Sequence, residues 1–369
     1  MSQRPAARPD FLLALATLAL VSTGCLLILS ASSILAFNRY GDQLHFVKRQ
    51  ILFGLAGVMA LVWLQSQSLE SLRRRLPLML CLAVALLLAV LVPGVGRKVG
   101  GARRWLALGP LRFQPSELFK LVAILFAADR LATALDGGGD WREALPRLLP
   151  LGAGLLLILV EPDFGSTVLT AMMLIGLLFV AGMPARWLGW VAAALAPAAA
   201  LLVLHSPYRL RRVEVFLDPW KDASGAGFQI THSMMAFGTG GIFGVGLGEG
   251  KQKLYYLPEP HTDFIFATAG EELGLLGCLV ILGFYLFLLW RCWVLVLTAR
   301  DRFVKLASLG LTLFLGLQIL ANLFVVLGMA PTKGTTLPFL SFGGSALVID
   351  LMAVGLLLNF SKHTQAGRP

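Results

Sequence analysis

Charge is what this sequence has least of. Asp, Glu, Lys and Arg make up only 14% of its 369 residues, against 57% hydrophobic residues and a mean hydropathy of +0.79. A soluble chain cannot wet its surface with that mixture, so the membrane has to serve as its solvent. Paired cysteines are lacking too. Cys25, Cys81, Cys278 and Cys292 lie in or at the ends of apolar runs, without paired spacing or neighbouring histidines, which argues against a disulfide framework and a zinc site. No segment is long and polar enough for a second, soluble domain and no repeat of fixed period is visible, so residues 1–369 read as one transmembrane domain. The glycine-rich stretch Gly238 to Gly250 lacks the Gly-Lys-Ser/Thr ending of a phosphate loop, and no strand is expected before it. A nucleotide-binding fold is therefore not expected, nor is nucleic acid as a partner.

What the sequence does have is long apolar runs. A spanning helix needs about 20 such residues, and ten candidates occur, at 11–36, 45–65, 76–93, 115–133, 145–160, 165–182, 187–205, 263–290, 303–328 and 338–360. The expected fold is thus an all-α polytopic membrane protein of ten transmembrane helices, with a large outer loop, 206–262, between the seventh and eighth. An even number of passes puts both termini on one side. The positive-inside rule makes that side cytoplasmic, from Arg4 and Arg8, Arg73 to Arg75, Arg142, Arg147, Arg186, Arg300 to Lys305, and Lys362. Ser22-Thr23-Gly24-Cys25 faintly resembles a lipoprotein cleavage site, but the apolar run continues through Leu29, which predicts an uncleaved first helix.

About half of the 31 Lys and Arg fall on the other, outer side, concentrated in 97–120 and 209–253, where topology gives no reason for them. They can touch lipid head groups or balance Asp218, Asp222, Glu249 and Glu259; a phosphate-bearing substrate would explain the clustering. Loop 206–262 mixes short apolar stretches, Ile230 to Phe237 and Ile242 to Leu247, with glycines and basic residues, as expected for pieces lying in the head-group layer and walling a cleft.

Four constellations can carry chemistry. Arg103-Arg104-Trp105 precedes Phe113-Gln114-Pro115-Ser116-Glu117, in which Pro115 suits the first position of a helix and Glu117 the third, where it can cap. Lys120 is harder to explain as structure. A cation near a helix start opposes the macrodipole, and a charge in lipid needs a partner, which Glu117 at i−3 supplies. The pair can neutralise itself, or its ammonium can meet a pyrophosphate oxygen. In Glu161-Pro162-Asp163-Phe164-Gly165, Asp163 is placed to cap the sixth helix. In Pro258-Glu259-Pro260-His261-Thr262-Asp263, Thr262 or Asp263 can be an N-cap. One cap suffices, however, and His261, Asp263, Glu271 and Glu272 together are unusually dense titratable groups for a membrane helix, which favours a functional acid at Asp263. Finally, Pro331 to Ser345 forms a Pro/Gly-broken entry to the last helix, tolerated at membrane depth only where it is buried in protein or lines a wet cavity. Lys333, Ser341 and Ser345 can line such a cavity, although for the serines packing and capping are the plainer roles.

These segments, namely Gly101-Ala102-Arg103-Arg104-Trp105, Phe113 to Glu117, Pro162-Asp163-Phe164-Gly165, His261 to Ala267 with Glu271-Glu272-Leu273-Gly274, and Leu337-Pro338 to Ser345, make the chain resemble the SEDS family (shape, elongation, division and sporulation) over nearly its whole length. Tyr208 to Arg212, Asp218-Pro219-Trp220, Gln252-Lys253 and Pro331 to Gly334 look like its division branch more than its elongation branch. His232, where division members usually have glutamine, and Phe342, in place of a common tyrosine, depart from the pattern. The resemblance implies a glycosyltransferase that polymerises lipid II at the outer face of the bacterial inner membrane, at the division septum. It implies Asp263 as the essential acid, Glu117 and Lys120 in the substrate cavity, and a class B penicillin-binding protein as the transpeptidase partner among other division-complex proteins. Arg103, Arg104, Asp163, His261, Lys333 and Ser341 are the further substrate-binding candidates.

Lipid II carries an α-linked sugar pyrophosphate and the glycan is β-1,4-linked, so the implied chemistry is one inverting displacement. It needs a base near the acceptor 4-hydroxyl, here Asp263, and cations near the departing pyrophosphate, here Lys120, Arg104 and Lys333. A carboxylate is a weak base, and Asp263 can instead hold a divalent cation, Mg or Mn, that bridges the pyrophosphate. No organic cofactor is expected. Two rivals stay open: a flippase for the same lipid, since internal ions also mark translocation paths, and a non-catalytic scaffold.

Overall fold

The computed structural model describes residues 9–99, 102–108, 111–252 and 260–364. Arg4, Arg8, Gly101, Lys253 and Glu259, used in the sequence reading, lie outside the described residues.

Each of the ten apolar runs falls on a helix: α1 (Phe11–Tyr40), α2 (His45–Ser66), α3 (Leu69–Leu91), α4 (Pro115–Asp136), α5 (Trp141–Val160), α6 (Phe164–Val180), α7 (Ala185–Leu204), α10 (Ile265–Thr298), α11 (Arg302–Val326) and α12 (Ser345–Ser361). Six of these, α1, α2, α3, α5, α10 and α11, are long and apolar enough to cross a membrane, and α6 and α12 are shorter apolar helices. Leu, Phe and Trp side chains point outward along them, such as Leu26, Met59, Leu78, Leu156 and Leu286. A surface of that kind is compatible with lipid and not with water. The protein is a helical, polytopic membrane protein.

The core is built around α4, which packs against α3, α5, α6, α11 and α12 and is buried on nearly every side. Its small residues, Ala123, Ala127, Ala128 and Ala132, let neighbouring backbones approach, as membrane helix interfaces require when lipid supplies no hydrophobic drive. At one end of the bundle, Ser361 Oγ accepts the Asp10 N–H at 3.0 Å, so the start of α1 and the end of α12 meet there.

Two differences from the sequence reading matter. First, the all-α expectation needs an addition: residues before α4 form a small antiparallel sheet, β1 (Gly96–Val99), β2 (Ala102–Leu108) and β3 (Leu111–Phe113), in the order β1-β2-β3. Second, the segment 206–262 is more structured than a set of interfacial pieces. It contains α8 (Pro207–Leu217), a 3-10 turn (Pro219–Asp222) and α9 (Phe228–Gly240). α9 carries the apolar stretch Ile230 to Phe237 and packs on α10 and α11 with Ile230, Ser233 and Ala236 buried, whereas Ile242, Phe243 and Leu247 beyond it remain exposed.

The glycines of 238–250 serve close packing. Val245 and Gly246 donate their N–H groups to the carbonyls of Glu271 and Glu272, and the Glu271 carboxylate accepts the N–H groups of Lys251 and Gln252. The α10 backbone breaks helical geometry at Gly274, with φ 66° and ψ −167°, a conformation only glycine adopts without strain, and this is where the Ile242–Gly244 backbone presses against it.

Candidate active site

The helices alternate in direction, so the N-termini of α2, α4, α6, α10 and α12 gather at the end opposite Asp10 and Ser361. N–H groups left unpaired at these ends carry partial positive charge and favour anions. The sheet and α8 lie at the same end.

Asp263 lies in the turn that leads into α10. The alternative of Thr262 or Asp263 as the N-cap residue is not what the backbone shows, since Phe264 occupies that position. The Asp263 carboxylate faces the loop before α12, where Oδ2 would stand 3.5 Å from a Cβ on Gly334. Asn322 of α11 fixes this approach by donating from Nδ2 to the Asp263 carbonyl at 2.8 Å and to the Thr335 carbonyl at 2.7 Å. Ser341 tightens the same seam: its hydroxyl donates to the Thr262 carbonyl at 2.7 Å and accepts the Leu337 N–H at 2.8 Å. The Phe342 N–H reaches the His261 carbonyl at 2.8 Å. Ser341 thus clamps this seam, the packing role the sequence reading preferred for the serines.

His261 is also placed differently from expectation. Its ring packs 4.1 Å from that of Phe46 and 5.6 Å from that of Phe342, buried in an aromatic cluster that continues to His45 and Tyr40. Burial, with Arg39 nearby, lowers its pKa to about 4, so it is neutral and holds the turn by packing.

A second group lies across the loop. Lys120, 1% exposed, contacts Glu117 Oε2 at 2.7 Å and Oε1 at 2.8 Å, and donates to Gln318 Oε1 at 3.4 Å. The half-buried Lys333 reaches back across Gly165, where any Cβ would collide with its methylene chain, so the glycine after Asp163-Phe164 makes room for the lysine. Its ammonium is depressed to about 7, by burial first and then by Lys120, against the opposing pull of Asp163 and Glu117. Asp163 caps α6 as predicted, accepting the Ser166 N–H at 3.0 Å and the Gln114 amide at 3.3 Å. Arg104, at 3.8 Å from Asp163, comes in from β2 and donates to the Pro162 carbonyl at 3.3 Å. Arg103, its neighbour on the strand, pairs with Lys98 of β1 beside an irregularity in the register.

The structure thus joins Asp263, Lys333, Lys120, Glu117, Asp163 and Arg104 around one loop, with the His261 ring in the aromatic cluster beside it and Ser341 bonded across its seam. Several residues were missed in the sequence. Gln318 and Asn322 stand four apart in the apolar α11, hence on one face, a spacing that could have revealed them. Arg212 of α8 donates to the Thr332 carbonyl at 2.6 Å, and Arg209 covers the Phe164 ring at 5.6 Å, so α8 braces the same loop. Glu161, fully buried with neither carboxyl oxygen hydrogen-bonded, is raised to about 8 by burial and by Asp163, against the pull of Arg104.

The groups His, Cys, Asp and Glu do not assemble in threes at any point among the described residues, so no all-protein metal cage is present there. One carboxylate completed by substrate phosphate oxygens and water is a different and ordinary mode for magnesium, and the Asp263 carboxylate suits it.

Fold and site together define a polytopic membrane protein with a largely buried cluster of charged side chains where helix N-termini converge. The chain belongs to the FtsW, RodA and SpoVE family of cell cycle proteins, whose family model matches residues 11–366. It is 41% identical, over 95% of its length and 93% of the relative's, to a probable peptidoglycan glycosyltransferase FtsW of Trichlorobacter lovleyi. It is 40% identical to the stage V sporulation protein E of Bacillus subtilis, covering 97% of this chain and 98% of that one. Among solved structures it is similar to a chain described under structural coordination of polymerization and crosslinking by a peptidoglycan synthase complex, with TM-score 0.78, 32% identity and 97% and 99% of the two chains covered. The rod shape determining protein RodA of Thermus thermophilus gives TM-score 0.70 at 32% identity over 97% and 98% of the chains.

Proposed function

We propose that this protein is a peptidoglycan glycosyltransferase that polymerises lipid II into β-1,4 glycan strands at the outer face of the bacterial inner membrane. The observation that carries the reading is the loop 332–335, which brings one acid, Asp263, and the cations Lys333 and Lys120 to the same end of the bundle. The names of the relatives support the same activity. In this reading the ten apolar helices all span, both termini are cytoplasmic and the helix N-termini face outward. Relatives named FtsW favour the division septum over elongation, and a class B penicillin-binding protein is the crosslinking partner, in keeping with the synthase complex that this chain resembles.

The chemistry follows from where charge develops. Asp263 takes the proton of the acceptor 4-hydroxyl as that oxygen attacks the anomeric carbon, and the anomeric bond to the pyrophosphate breaks on the opposite face, inverting the centre. Lys120, Lys333 and Arg104, together with the α4 and α6 N-termini, hold the negative charge that accumulates on the leaving pyrophosphate. Asn322 keeps Asp263 from drifting by tying its backbone to the loop. Asp263 would be the residue to hold a divalent ion, which would supply further positive charge for the leaving group. Activity that survives chelation removes the ion from the scheme.

The decisive experiment is glycan-strand formation from labelled lipid II by the purified chain, with and without a class B penicillin-binding protein and beside Asp263→Ala. Product lost only in the variant supports polymerisation. A second reading, translocation of the same lipid, is favoured by the polar groups deeper in the bundle, Gln318 and Asp350; vesicles in which lipid II changes leaflet without being polymerised would establish it.

A further inference from the structure

The connection between α3 and α4 carries more positive charge than the mechanism uses. From Val92 to Gln114 it holds five cations, Arg97, Lys98, Arg103, Arg104 and Arg112, and no acid. Of the four arginines, Arg104 alone makes an ion pair among the described residues, with Asp163 at 3.8 Å.

Strand register shows where two of the others stand. Gly96 pairs with Leu106, and Leu106 with Phe113, so these three share one face of the sheet. That face is turned to the bundle: Leu106 is buried, and a Cβ on Gly96 would collide with the Val90 carbonyl at the end of α3. Arg97 pairs with Trp105, and Ala107 with Arg112, each one residue along from the first set, which puts them on the outward face. The register irregularity falls beyond Arg97 and leaves these pairs intact. Arg97 and Arg112 are exposed, and the half-buried Trp105 of the central strand has one of them on each side.

The sheet lies over protein. β2 packs on α3 and α4, β3 leads straight into α4, the helix buried on nearly every side, and Arg104 reaches the Pro162 carbonyl between α5 and α6. The patch therefore stands at the rim of the site with its guanidinium forks unmatched, and such forks fit carboxylates and phosphates.

Resting on the glycan-polymerising reading of the site, we infer that this face is a docking surface for the newly made glycan strand, held by the carboxylates of the strand's peptide branches. Each disaccharide that lipid II delivers carries a peptide with a C-terminal carboxylate, so the product is an uncharged sugar chain with negative charge at every repeat. Cations without a neighbouring acid complement that series, and Trp105 offers a flat apolar surface between them. The contact forms and breaks no covalent bond. It keeps the strand beside the site between additions. Because the arginines are exposed, each contact is weak and salt-sensitive, and the strand can move on as it grows.

The test is binding of ready-made, uncrosslinked glycan strands to the full-length protein in an uncharged detergent, read by fluorescence anisotropy of a labelled strand. Strands with their peptides should bind about tenfold more tightly at low salt than the same strands stripped by an amidase, and the difference should shrink at high salt. Arg97→Gln with Arg112→Gln should erase the difference at an unchanged melting temperature. Arg97→Lys with Arg112→Lys, which keeps the charge, should retain most of it. If the glutamine pair does not fold, the single substitutions are read in its place, each removing part of the difference. Equal binding of bare and peptide-bearing strands overturns the inference, and so does a preference that survives the glutamine substitutions. Short-chain phosphatidylglycerol that displaces the strand at an equal concentration of negative charge would assign the patch to lipid head groups and overturn it as well. Binding is measured without synthesis, so the two readings fail separately. A chain that binds peptide-bearing strands through these arginines but makes no glycan sinks the functional reading alone, and one that makes glycan without the preference sinks this inference alone.

Discussion

The two ends of the bundle handle charge in opposite ways. At the end where α1 begins and α12 finishes, the ion pairs are closely matched. Arg291 contacts Asp10 at 2.6 Å, Arg73 contacts Asp129 at 2.6 Å, and the Asn359 amide donates to the carbonyls of Leu64, Gln65 and Gln67. At the other end the matching is loose. Arg104 stands 3.8 Å from Asp163 with its Nε unpartnered, both Glu161 oxygens lack hydrogen bonds, and Lys333 is crowded by another cation. Matched groups stabilise. Loosely matched, desolvated ones cost stability and are kept where a ligand completes them. The contrast assigns stability to one end and binding to the other without reference to any relative.

The largest effect that would test this contrast is at Asp263. Asp263→Ala should lower glycan synthesis from lipid II by at least about 100-fold, the range expected on losing a general base, with an unchanged melting temperature. A variant that keeps full activity breaks the assignment. Next comes Lys120→Ala, which leaves Glu117 without its cation. Its rate at limiting lipid II should fall about 10- to 100-fold, in line with one charge-stabilising contact worth ~1.5 to 2.5 kcal/mol. An unchanged rate demotes Lys120 to a structural pair. At the opposite end, Asp10→Ala should cost about 3 kcal/mol of stability, because the largely buried Arg291 loses its partner, while activity per folded molecule holds. If that variant instead stays stable and loses activity, the division of labour between the ends is wrong.

How much of this was readable beforehand depends on what each feature rests on. Long apolar runs report burial in lipid directly, which is why every run coincides with a helix. The sheet at 96–113 was missed because its strands are three to seven residues long and carry arginines, although the Gly-Gly and Gly-Pro dipeptides of that stretch are ordinary hairpin punctuation. Lys120 and Asp263 stood out because ions are costly in membranes, and the same rule, applied to the last run, would have found Asp350. It could not say that His261 turns into an aromatic cluster while Asp263, two residues on, faces the Gly334 loop. That choice is made by Asn322 and Ser341, which come from 59 and 79 residues away, and long-range contacts of that kind leave no local pattern.

The smallest predicted effect is the one that separates the two ends most cleanly, because it depends on looseness itself. Lys333 is depressed from the usual lysine range to about 7. Below that pH it is charged and ready for an anion; above it the free protein has lost the proton, which pyrophosphate binding must then restore. Binding therefore takes up a proton above pH 7, and apparent affinity for lipid II should weaken up to about tenfold per pH unit as pH rises past 7, while the maximal rate changes little. The effect on folding has the opposite sign: the unfolded lysine holds its proton to a higher pH than the folded one, so between about 7 and the usual lysine value this group favours folding more as pH rises. Lys333→Arg keeps the charge at every accessible pH and should flatten the affinity profile. A wild-type profile that is already flat from pH 6 to 9 would mean that Lys333 is as well matched as Arg291, and the contrast between the two ends would lose its strongest member.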